Sequence, residues 1–534
     1  MPDHTANTVE ENWVAAVTLK QLKQSGRQVF KSGKKQIVVF EIDGNIFACN
    51  NRCPHQGYPL IEGEVTKDCV LTCNWHNWKF DLTDGSTLVG GDTLRTYPTR
   101  VEGEQVYVEI SDPPAEQIIE KSLRDLHASF DRHEYDRMAR EIARLAQAGG
   151  DPLDALRKTI LWTYEKFEYG TTHAVAAAAD WLAYRDANPS DTALGLGALV
   201  ECVGHFAWDS RRENIHAFVQ TVAKFNEDAF VNAIEREDQD AAIAMVRGAF
   251  DNGLEYADLH KAFCQAALAH YQDFGHALIY VYKTGQLIDR LNDREVSLAL
   301  TLLLTRSLVY ATREDLIPEF KAYAPALDKW DREGMASLNE EEIRTGRTSQ
   351  ILDLISKSGG DPETLYDTGM QAAAWQMLHF DLGFQAATDG AVSNNVNWLD
   401  FTHTFTFGNA VRKTCEMYPD LWPQGLLQIF CFLGRNSGFV DATLSHDQWT
   451  VSDVGAFVCE QKKTLIDHGQ FEYIVSCHIL KLLSAFEEET LEHPNAPWLP
   501  TAAASINRFL NEPLKRKHVL RTAKQAISFV EREG

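Results

Sequence analysis

The pattern of hydrophobic and polar positions divides the chain into two parts with different periodicities. Up to about residue 110, short β-branched and aromatic runs alternate with turn residues. Residues 36–48 predict a strand, a tight turn at Asp43-Gly44-Asn45 and a second strand, and residues 96–101 and 106–110 predict another hairpin. This part of the sequence therefore predicts a small β-sandwich-like domain.

Beyond about residue 116 the apolar positions recur with the 3.6-residue period of amphipathic helices. The first helix is predicted over residues 123–148, because Gly149-Gly150 ends the pattern, and further helices are predicted as far as residue 532. The expected fold class is therefore multidomain β plus all-α. We predict a flexible tail at residues 1–12, the β-domain at 13–111, a linker at 112–117 and an all-helical domain at 118–534.

Composition and charge restrict the classes of partner. The chain has 534 residues, more than one ordinary domain, and its formal net charge is −25. Nucleic acid and anionic membranes are not expected as partners, because both require basic surfaces. No run of twenty apolar residues and no apolar amino-terminal segment occurs, so neither a transmembrane helix nor a secretory signal is expected. The ten scattered cysteines suit buried thiols in a cytoplasmic protein.

Two short segments of the β-domain combine residue types that bind metals. Cys53-Pro54-His55 and, seventeen residues later, Cys73-Asn74-Trp75-His76 each supply one cysteine and one histidine. Two thiolates and two imidazoles suit a [2Fe–2S] cluster in which the cysteines bind one iron and the histidines the other. The alternative is a structural zinc site, whose cysteines more often come as a Cys-x-x-Cys pair with a separate pair of histidines.

This motif, with the aromatic stretch from Trp75 to Asp81, resembles Rieske ferredoxins and the Rieske domains of ring-hydroxylating oxygenases. Rieske proteins of cytochrome complexes carry an extra cysteine in each loop, whereas Tyr58 and Trp75 stand at the comparable places here. The resemblance therefore implies the ferredoxin and oxygenase class, with residues 13–111 as the Rieske domain. It implies that the cluster ligands are Cys53, His55, Cys73 and His76.

The helical part places single histidines on apolar helix faces, where an unbonded imidazole would be costly. Helical bundles build iron sites from such inward-facing histidines and carboxylates. The histidines that we predict to converge on a non-haem iron site, of one or more metal ions, are His173, His270, His276, His403 and His478. The candidate carboxylates are Asp180, Asp273 and Asp400.

Each of these histidines has an alternative interpretation as a hydrogen-bonded core residue. A reserve set of ligands is formed by Glu201, His205 and Asp209, which lie four residues apart on one predicted helix. The same spacing equally suits a solvated or salt-bridged helix face.

Short apolar sequence segments around four of the histidines resemble those of questin-oxidase-like helical proteins. These segments are the alanine-rich helix after His173, His276-Ala277-Leu278-Ile279-Tyr280, Asp400-Phe401-Thr402-His403-Thr404 and His478-Ile479-Leu480-Lys481-Leu482-Leu483. The resemblance implies an all-helical oxidase domain, in a family that includes Baeyer–Villiger-type ring-opening enzymes. The iron-binding signature of the usual Rieske oxygenase catalytic domain is missing, since Phe407 and Gly408 stand where its second histidine would follow.

Three functions fit these features. In the first, a separate NAD(P)H-dependent reductase or ferredoxin reduces the cluster, and the helical iron site uses the electrons to activate O₂ and oxidise a small organic substrate. This monooxygenase would suit a homo-oligomer in which one chain's cluster serves another chain's iron. The alternatives are an electron carrier with a helical docking domain and a redox sensor. No Gly-x-Gly-x-x-Gly stretch follows a predicted strand, so a built-in nicotinamide or flavin site is not expected.

Overall fold

The computed structural model describes residues 12–533. The chain divides into two compact units, residues 1–155 and 156–534. Residues 1–11 of the predicted flexible tail lie outside the described residues. Within the described range, none of the helices has the length and hydrophobicity needed to cross a lipid bilayer.

The strands of the first unit form three antiparallel sheets. In chain order they are β1 (Trp13–Thr18), β2 (Arg27–Ser32), β3 (Lys35–Ile42), β4 (Asn45–Asn50), β5 (Glu64–Val65), β6 (Val70–Thr72), β7 (Lys79–Asp81), β8 (Thr87–Val89), β9 (Thr96–Tyr97), β10 (Thr99–Glu102) and β11 (Gln105–Glu109). The strand orders are β1-β11-β10, β2-β3-β4-β9 and β5-β6-β7-β8. The predicted hairpins are confirmed as β3–β4 and β10–β11. β9 pairs with β4 instead, because Pro98 interrupts the strand predicted over 96–101.

The central strand β3 contributes to two hydrophobic cores, since successive side chains of a strand point to opposite faces. Val39 lies in one core, together with Val106 of β11. Val38 lies in the other core, which also contains Cys53 and Cys73. The second core therefore lies directly beneath the two loops that carry the predicted cluster ligands.

Helices make up most of the remaining chain. In order they are α1 (Leu19–Ser25), α2 (Ala115–Asp131), α3 (Tyr135–Gln147), α4 (Leu153–Thr163), α5 (His173–Asp186), α6 (Thr192–Asp209), α7 (Glu227–Glu235), α8 (Gln239–Asp251), α9 (Tyr256–Leu268), α10 (His276–Leu291), α11 (Arg294–Val309), α12 (Tyr323–Asp328), α13 (Glu340–Thr345), α14 (Thr348–Ile355), α15 (Pro362–Leu378), α16 (Leu382–Ala386), α17 (Trp398–Met417), α18 (Trp422–Asn436), α19 (Val454–Lys463), α20 (Tyr473–Glu492), α21 (Leu499–Asn511) and α22 (Val519–Val530). Residues 156–533 contain no strand, only isolated bridges, which confirms the expected fold class of a β-domain followed by a large helical region.

The single helix predicted over residues 123–148 is wrong. The structure has α2 and α3 instead, and the chain reverses between them where His133 adopts a φ of 54°, in the left-handed region. The reversal lets the apolar faces of the two helices pack against each other. Both helices belong to the same compact unit as the strands. The predicted domain boundary at residues 112–117 stays a prediction. These residues follow the last strand, β11, and include the start of α2.

Four helices of the second unit surround the predicted iron site. α5 contacts α10, α10 contacts α17, α17 contacts α20, and α20 contacts α5 again. A closed ring of neighbouring helices has a shared interior, and side chains that point inward from all four helices can meet there.

Candidate metal centres

The two loops predicted to hold the cluster have the same pattern of backbone hydrogen bonds. The N–H of Cys53 donates to the carbonyl of Tyr58 at 2.9 Å, and the N–H of Cys73 donates to the carbonyl of Trp78 at 2.8 Å. Each cysteine carbonyl also accepts a hydrogen bond from the residue four positions later, Gly57 or Asn77. Both of these residues have positive φ angles, 76° and 58°. The matching turns bring one cysteine and one histidine from each loop to a common point.

A buried imidazole nitrogen in these loops lacks the hydrogen-bond partner that buried polar atoms normally have. The Nδ1 atom of His55 is buried and makes no hydrogen bond. Burial raises the pKa of Cys53 to about 11; the nearby thiol of Cys73 reinforces this and the backbone N–H of His55 opposes it. Cys53 and Cys73 are both buried and form no disulfide. An orphaned imidazole nitrogen beside two buried thiols fits the two-cysteine, two-histidine ligand set of a [2Fe–2S] cluster.

Aromatic rings flank both histidines. The ring of His55 stacks on Trp78, with centroids 4.5 Å apart and an interplanar angle of 8°. The ring of His76 lies 4.6 Å from that of His55 and stacks on Trp75, which is 60% exposed. Trp78 therefore covers the His55 side of the ligand set, while the His76 side is exposed to solvent.

Four of the five histidines predicted for the iron site converge in the second unit. His173, His276, His403 and His478 offer ligand atoms that all lie within 4.8 Å of one another. One histidine comes from each of the four surrounding helices α5, α10, α17 and α20. His403 and His478 are buried, whereas His173 and His276 retain partial exposure. The partly exposed pair is therefore the side of the group nearer to solvent.

Backbone carbonyls fix the orientation of three of these imidazoles. The Nδ1 of His276 lies 2.7 Å from the carbonyl oxygen of Asp273. The Nδ1 atoms of His403 and His478 lie 2.5 Å from the carbonyl oxygens of Leu399 and Ile474, one turn earlier in the same helix. A carbonyl oxygen only accepts, so each Nδ1 carries the hydrogen and each Nε2 has a free lone pair.

The free lone pairs point at one another. The Nε2 of His276 lies 3.1 Å from that of His173 and 3.0 Å from that of His403, and the Nε2 of His403 lies 3.3 Å from that of His478. Acceptor nitrogens at these distances repel unless a cation lies between them. Nitrogens about 2.1 Å from one metal ion are about 3.0 Å apart at a right angle and about 3.4 Å apart at the tetrahedral angle. The observed spacing would therefore allow these nitrogens to bind one metal ion.

The electrostatic environment keeps these imidazoles neutral. Burial, together with the neighbouring Lys481, lowers the pKa of His276 to about 4. Burial likewise holds the pKa of His173, His403 and His478 well below the usual range, with contributions from Lys481 and from the other histidines. Neutral imidazoles are the form that binds metals.

The loop before α10 is strained in a way that orients His276. Asp273, Phe274 and Gly275 are three consecutive residues with positive φ angles, 49°, 50° and 77°. The ring of Phe274 makes an edge contact with that of His403, at 5.6 Å between centroids. Non-glycine residues in the left-handed region are concentrated at functional sites, because surrounding contacts must hold them there.

His270, the fifth predicted histidine, does not join the group. Its Nε2 lies 2.5 Å from a carboxylate oxygen of Glu235, and its Nδ1 lies 3.3 Å from one of Asp315. Arg313 completes this network through contacts to both carboxylates. His270 follows the end of α9, outside the helices that carry the four converging histidines, and its partners are charged side chains rather than imidazoles.

The predicted carboxylates serve other contacts. Asp180 pairs with the buried Lys283 at 2.9 Å, and Asp400 accepts a hydrogen bond from the N–H of Asn397 at the start of α17. Asp273 contributes its backbone carbonyl to His276, and burial raises the pKa of its carboxyl group to about 7.

The reserve set does not form one cluster. Glu201 pairs with His468 at 3.2 Å, and His205 lies 3.5 Å from Asp209 while stacking on Tyr473. Burial raises the pKa of Asp209 to about 6, while Thr172 and the N–H of Ala174, at the start of α5, oppose the rise. Asp209 therefore lies beside the helix end that carries His173.

Two side chains near the four histidines were not singled out from the sequence. The Tyr280 hydroxyl lies 3.5 Å from the Nδ1 of His173. Lys481 is buried one turn after His478, and burial lowers its pKa. In the sequence, Lys481 is recognisable as a lone lysine in the apolar run Ile479-Leu480-Lys481-Leu482-Leu483. Nothing in the sequence distinguishes Tyr280 from other aromatic residues.

Comparison with known proteins identifies the first part of the chain. Residues 12–98 match the model of the Rieske [2Fe–2S] domain family. The chain is 28% identical over 116 residues to the ferredoxin component of the alkene monooxygenase system of Xanthobacter autotrophicus, covering 21% of this chain and 95% of that protein. It is 32% identical over 78 residues to the 3-phenylpropionate/cinnamic acid dioxygenase ferredoxin subunit of Shigella boydii, covering 14% of this chain and 74% of that protein.

Among solved structures, the chain is similar to the ferredoxin of carbazole 1,9a-dioxygenase from Nocardioides aromaticivorans. The identity is 24%, the TM-score is 0.18, and the match covers 18% of this chain and 98% of the ferredoxin. These similarities all concern the amino-terminal region, and the four converging histidines lie outside them.

Proposed function

The chain belongs, through residues 12–98, to the Rieske [2Fe–2S] domain family, and from this premise we propose that it is an oxygenase with a second iron centre. His173, His276, His403 and His478 would hold a non-haem iron, which would use electrons from the cluster to activate O₂. A separate NAD(P)H-dependent reductase or ferredoxin supplies the electrons. The substrate is a small organic molecule that approaches the partly exposed His173 and His276 side.

The observation that carries the proposal is the convergence of four imidazole nitrogens, three of which have free lone pairs that face one another. Hydrogen bonding to Asp273, Leu399 and Ile474 already uses the N–H of three rings. A cation is the remaining way to satisfy the Nε2 atoms, and imidazole ligands suit iron among the transition metals. A centre of this kind in the same chain as a one-electron carrier favours a redox metal over a structural one.

Hydrogen bonds within the protein orient the histidines of this group before a metal binds. The backbone carbonyls hold three rings in one tautomer and one orientation, which lowers the cost of assembling the ligand set. The Thr172 hydroxyl accepts a hydrogen bond from the N–H of Ala174 and caps the start of α5, which helps to fix the position of His173. When bound, the [2Fe–2S] cluster supplies single electrons.

An iron count tests the proposal. The full-length protein should contain three or more iron atoms per chain, two of them in the cluster. His276→Ala and His403→Ala should each lower the iron content to about two per chain, because four-nitrogen coordination is broken. The EPR signal of the reduced Rieske cluster should persist in both variants. Metal analysis by mass spectrometry together with EPR gives both quantities.

His270→Ala is the matched control, since it removes a histidine of the same unit that lies outside the group. It should retain the third iron. If the wild-type protein contains only two irons, or if His276→Ala keeps full iron content and full O₂-dependent reoxidation of the cluster, the four histidines are core residues and the proposal fails.

The second candidate function is electron transfer alone, in a carrier or a redox sensor. The observation that favours it is that the similar proteins named above are ferredoxin components and match only the amino-terminal region. In this case the helical unit is a docking or sensing domain and the chain binds two irons. O₂ should then reoxidise the reduced cluster at the same rate in the wild type and in His403→Ala.

A further inference from the structure

Three arginines of α3 converge on one buried carboxylate of the Rieske domain. Asp92 is only 2% exposed. Its Oδ1 lies 2.7 Å from the Nε of Arg137, and its Oδ2 lies 2.8 Å from the Nε of Arg140 and 3.6 Å from an Nη of Arg144. A buried carboxylate needs such partners, because an unpaired charge of this kind is costly. The ion pairs therefore fix α3 against the loop between β8 and β9.

The same loop supports a cluster ligand. Gly90 lies directly against the indole of Trp78, so close that a Cβ atom at this position would be 2.5 Å from Cδ2 of the ring. Trp78 in turn stacks flat on His55. Asp92, two residues after Gly90, thus connects α3 to the residues that cover the His55 side of the ligand set.

Arg140 brings a positive charge to this connection, because its Nε atom lies 2.8 Å from Oδ2 of Asp92. Asp136, of opposite charge, lies one helical turn before Arg140 on α3. Arg140 is about a quarter exposed, so its field on His55 is less screened than that of a fully exposed side chain.

We propose that the positive charge of Arg140, which Asp92 holds beside the cluster loops, raises the reduction potential of the [2Fe–2S] cluster. Reduction adds one electron and hence one negative charge to the cluster. A fixed positive charge near a ligand histidine stabilises the reduced state relative to the oxidised state. The helical hairpin α2–α3 thereby sets the driving force with which the cluster accepts and releases electrons.

A redox titration of the full-length protein, followed by the EPR signal of the reduced cluster, tests this role. Arg140→Gln should shift the midpoint potential to more negative values, whereas Arg140→Lys, which keeps the charge, should stay close to the wild type. Asp136→Asn should produce a shift of the opposite sign. The difference between Arg140→Gln and the wild type should shrink as the salt concentration rises, because mobile ions screen the charge.

Arg124→Gln is the matched control. It removes the same charge from the neighbouring helix α2, where the side chain is 70% exposed and pairs with Asp125 rather than with Asp92. It should leave the potential unchanged. The proposal is overturned if Arg140→Gln leaves the potential unchanged, shifts it to more positive values, or shifts it no more than Arg124→Gln. Arg140→Met, which keeps the aliphatic stem, is the second variant, and loss of the cluster from both would reassign Arg140 to cluster assembly.

Discussion

His276, His403 and His478 share one hydrogen-bonding arrangement. In each, Nδ1–H donates to a backbone carbonyl and the lone pair of Nε2 stays available to bind a metal. Two of the carbonyls belong to the preceding helical turn, so the helix itself orients the ring. For His276, the first residue of α10, no α-helical turn precedes the ring, and the strained turn Asp273–Gly275 provides the carbonyl of Asp273 instead. The left-handed residues of this turn are therefore the local cost of placing His276.

Replacing Gly275 tests that argument. Gly275→Ala should destabilise the protein and lower the iron content of the helical unit. At a φ of +77° an alanine is strained, and its Cβ would lie 2.8 Å from the ring of Phe407. The left-handed conformation alone costs about 1–2 kcal/mol, and displacement of the loop would move His276. Thermal denaturation and metal analysis measure the two effects.

Gly438→Ala is the control for that experiment, because a Cβ there meets no atom within 4 Å. It should change neither the melting temperature nor the iron content appreciably. Unchanged iron binding in Gly275→Ala would mean that the loop is not needed to position His276.

The sequence predicts four of the histidines of this site because each interrupts an apolar helix face. It does not separate them from His270, whose neighbours along the chain are also apolar but whose partners are Glu235 and Asp315. These partners are distant in sequence, and single-chain periodicity carries no information about them. For the same reason the sequence points to Asp180, whose partner Lys283 only the folded structure reveals.

At the scale of elements, the long helices and the β3–β4 hairpin follow from hydrophobic periodicity and turn residues. The break between α2 and α3 does not, because a charged stretch without glycine or proline at residues 132–134 fits a continuing helix. Packing of the two helices against each other overrides the local pattern. The cluster loops are predictable from their ligand types alone, whereas the contact of α3 with Asp92 depends on tertiary structure.

A buried ion pair joins the helices α5 and α10, two of the four that carry the converging histidines. Lys283→Met should destabilise the second unit by about 3–5 kcal/mol, because it leaves Asp180 buried without its cation. The double variant Lys283→Met with Asp180→Leu should recover much of this loss, since an apolar pair of similar volume needs no compensation. Denaturant unfolding followed by circular dichroism gives the free energies. A single variant as stable as the wild type would show that the pair contributes nothing to helix packing.

At the scale of the whole molecule, the chain combines a one-electron module with a helical unit that contains a second ligand set. Each unit has its own buried hydrophobic residues and its own group of side chains that could bind a metal. The Rieske ligands come from loops on a β-scaffold, while the four histidines come from helices of the other unit. Loading of one centre should therefore not require the other.

Cys73→Ser in the full-length chain tests this independence. The substitution removes a cluster ligand, so the visible absorption of the cluster and its EPR signal in the reduced state should disappear. The iron content should fall from three or more to about one per chain, and the helical circular dichroism should stay unchanged because Cys73 lies in the core of the other unit. Cys69→Ser is the matched control, since this thiol lies in the same domain outside both ligand loops and should leave both centres filled. A protein that loses all its iron in Cys73→Ser would show that the helical centre depends on the cluster for its assembly, and a colourless wild-type protein with one zinc ion would refute the cluster itself.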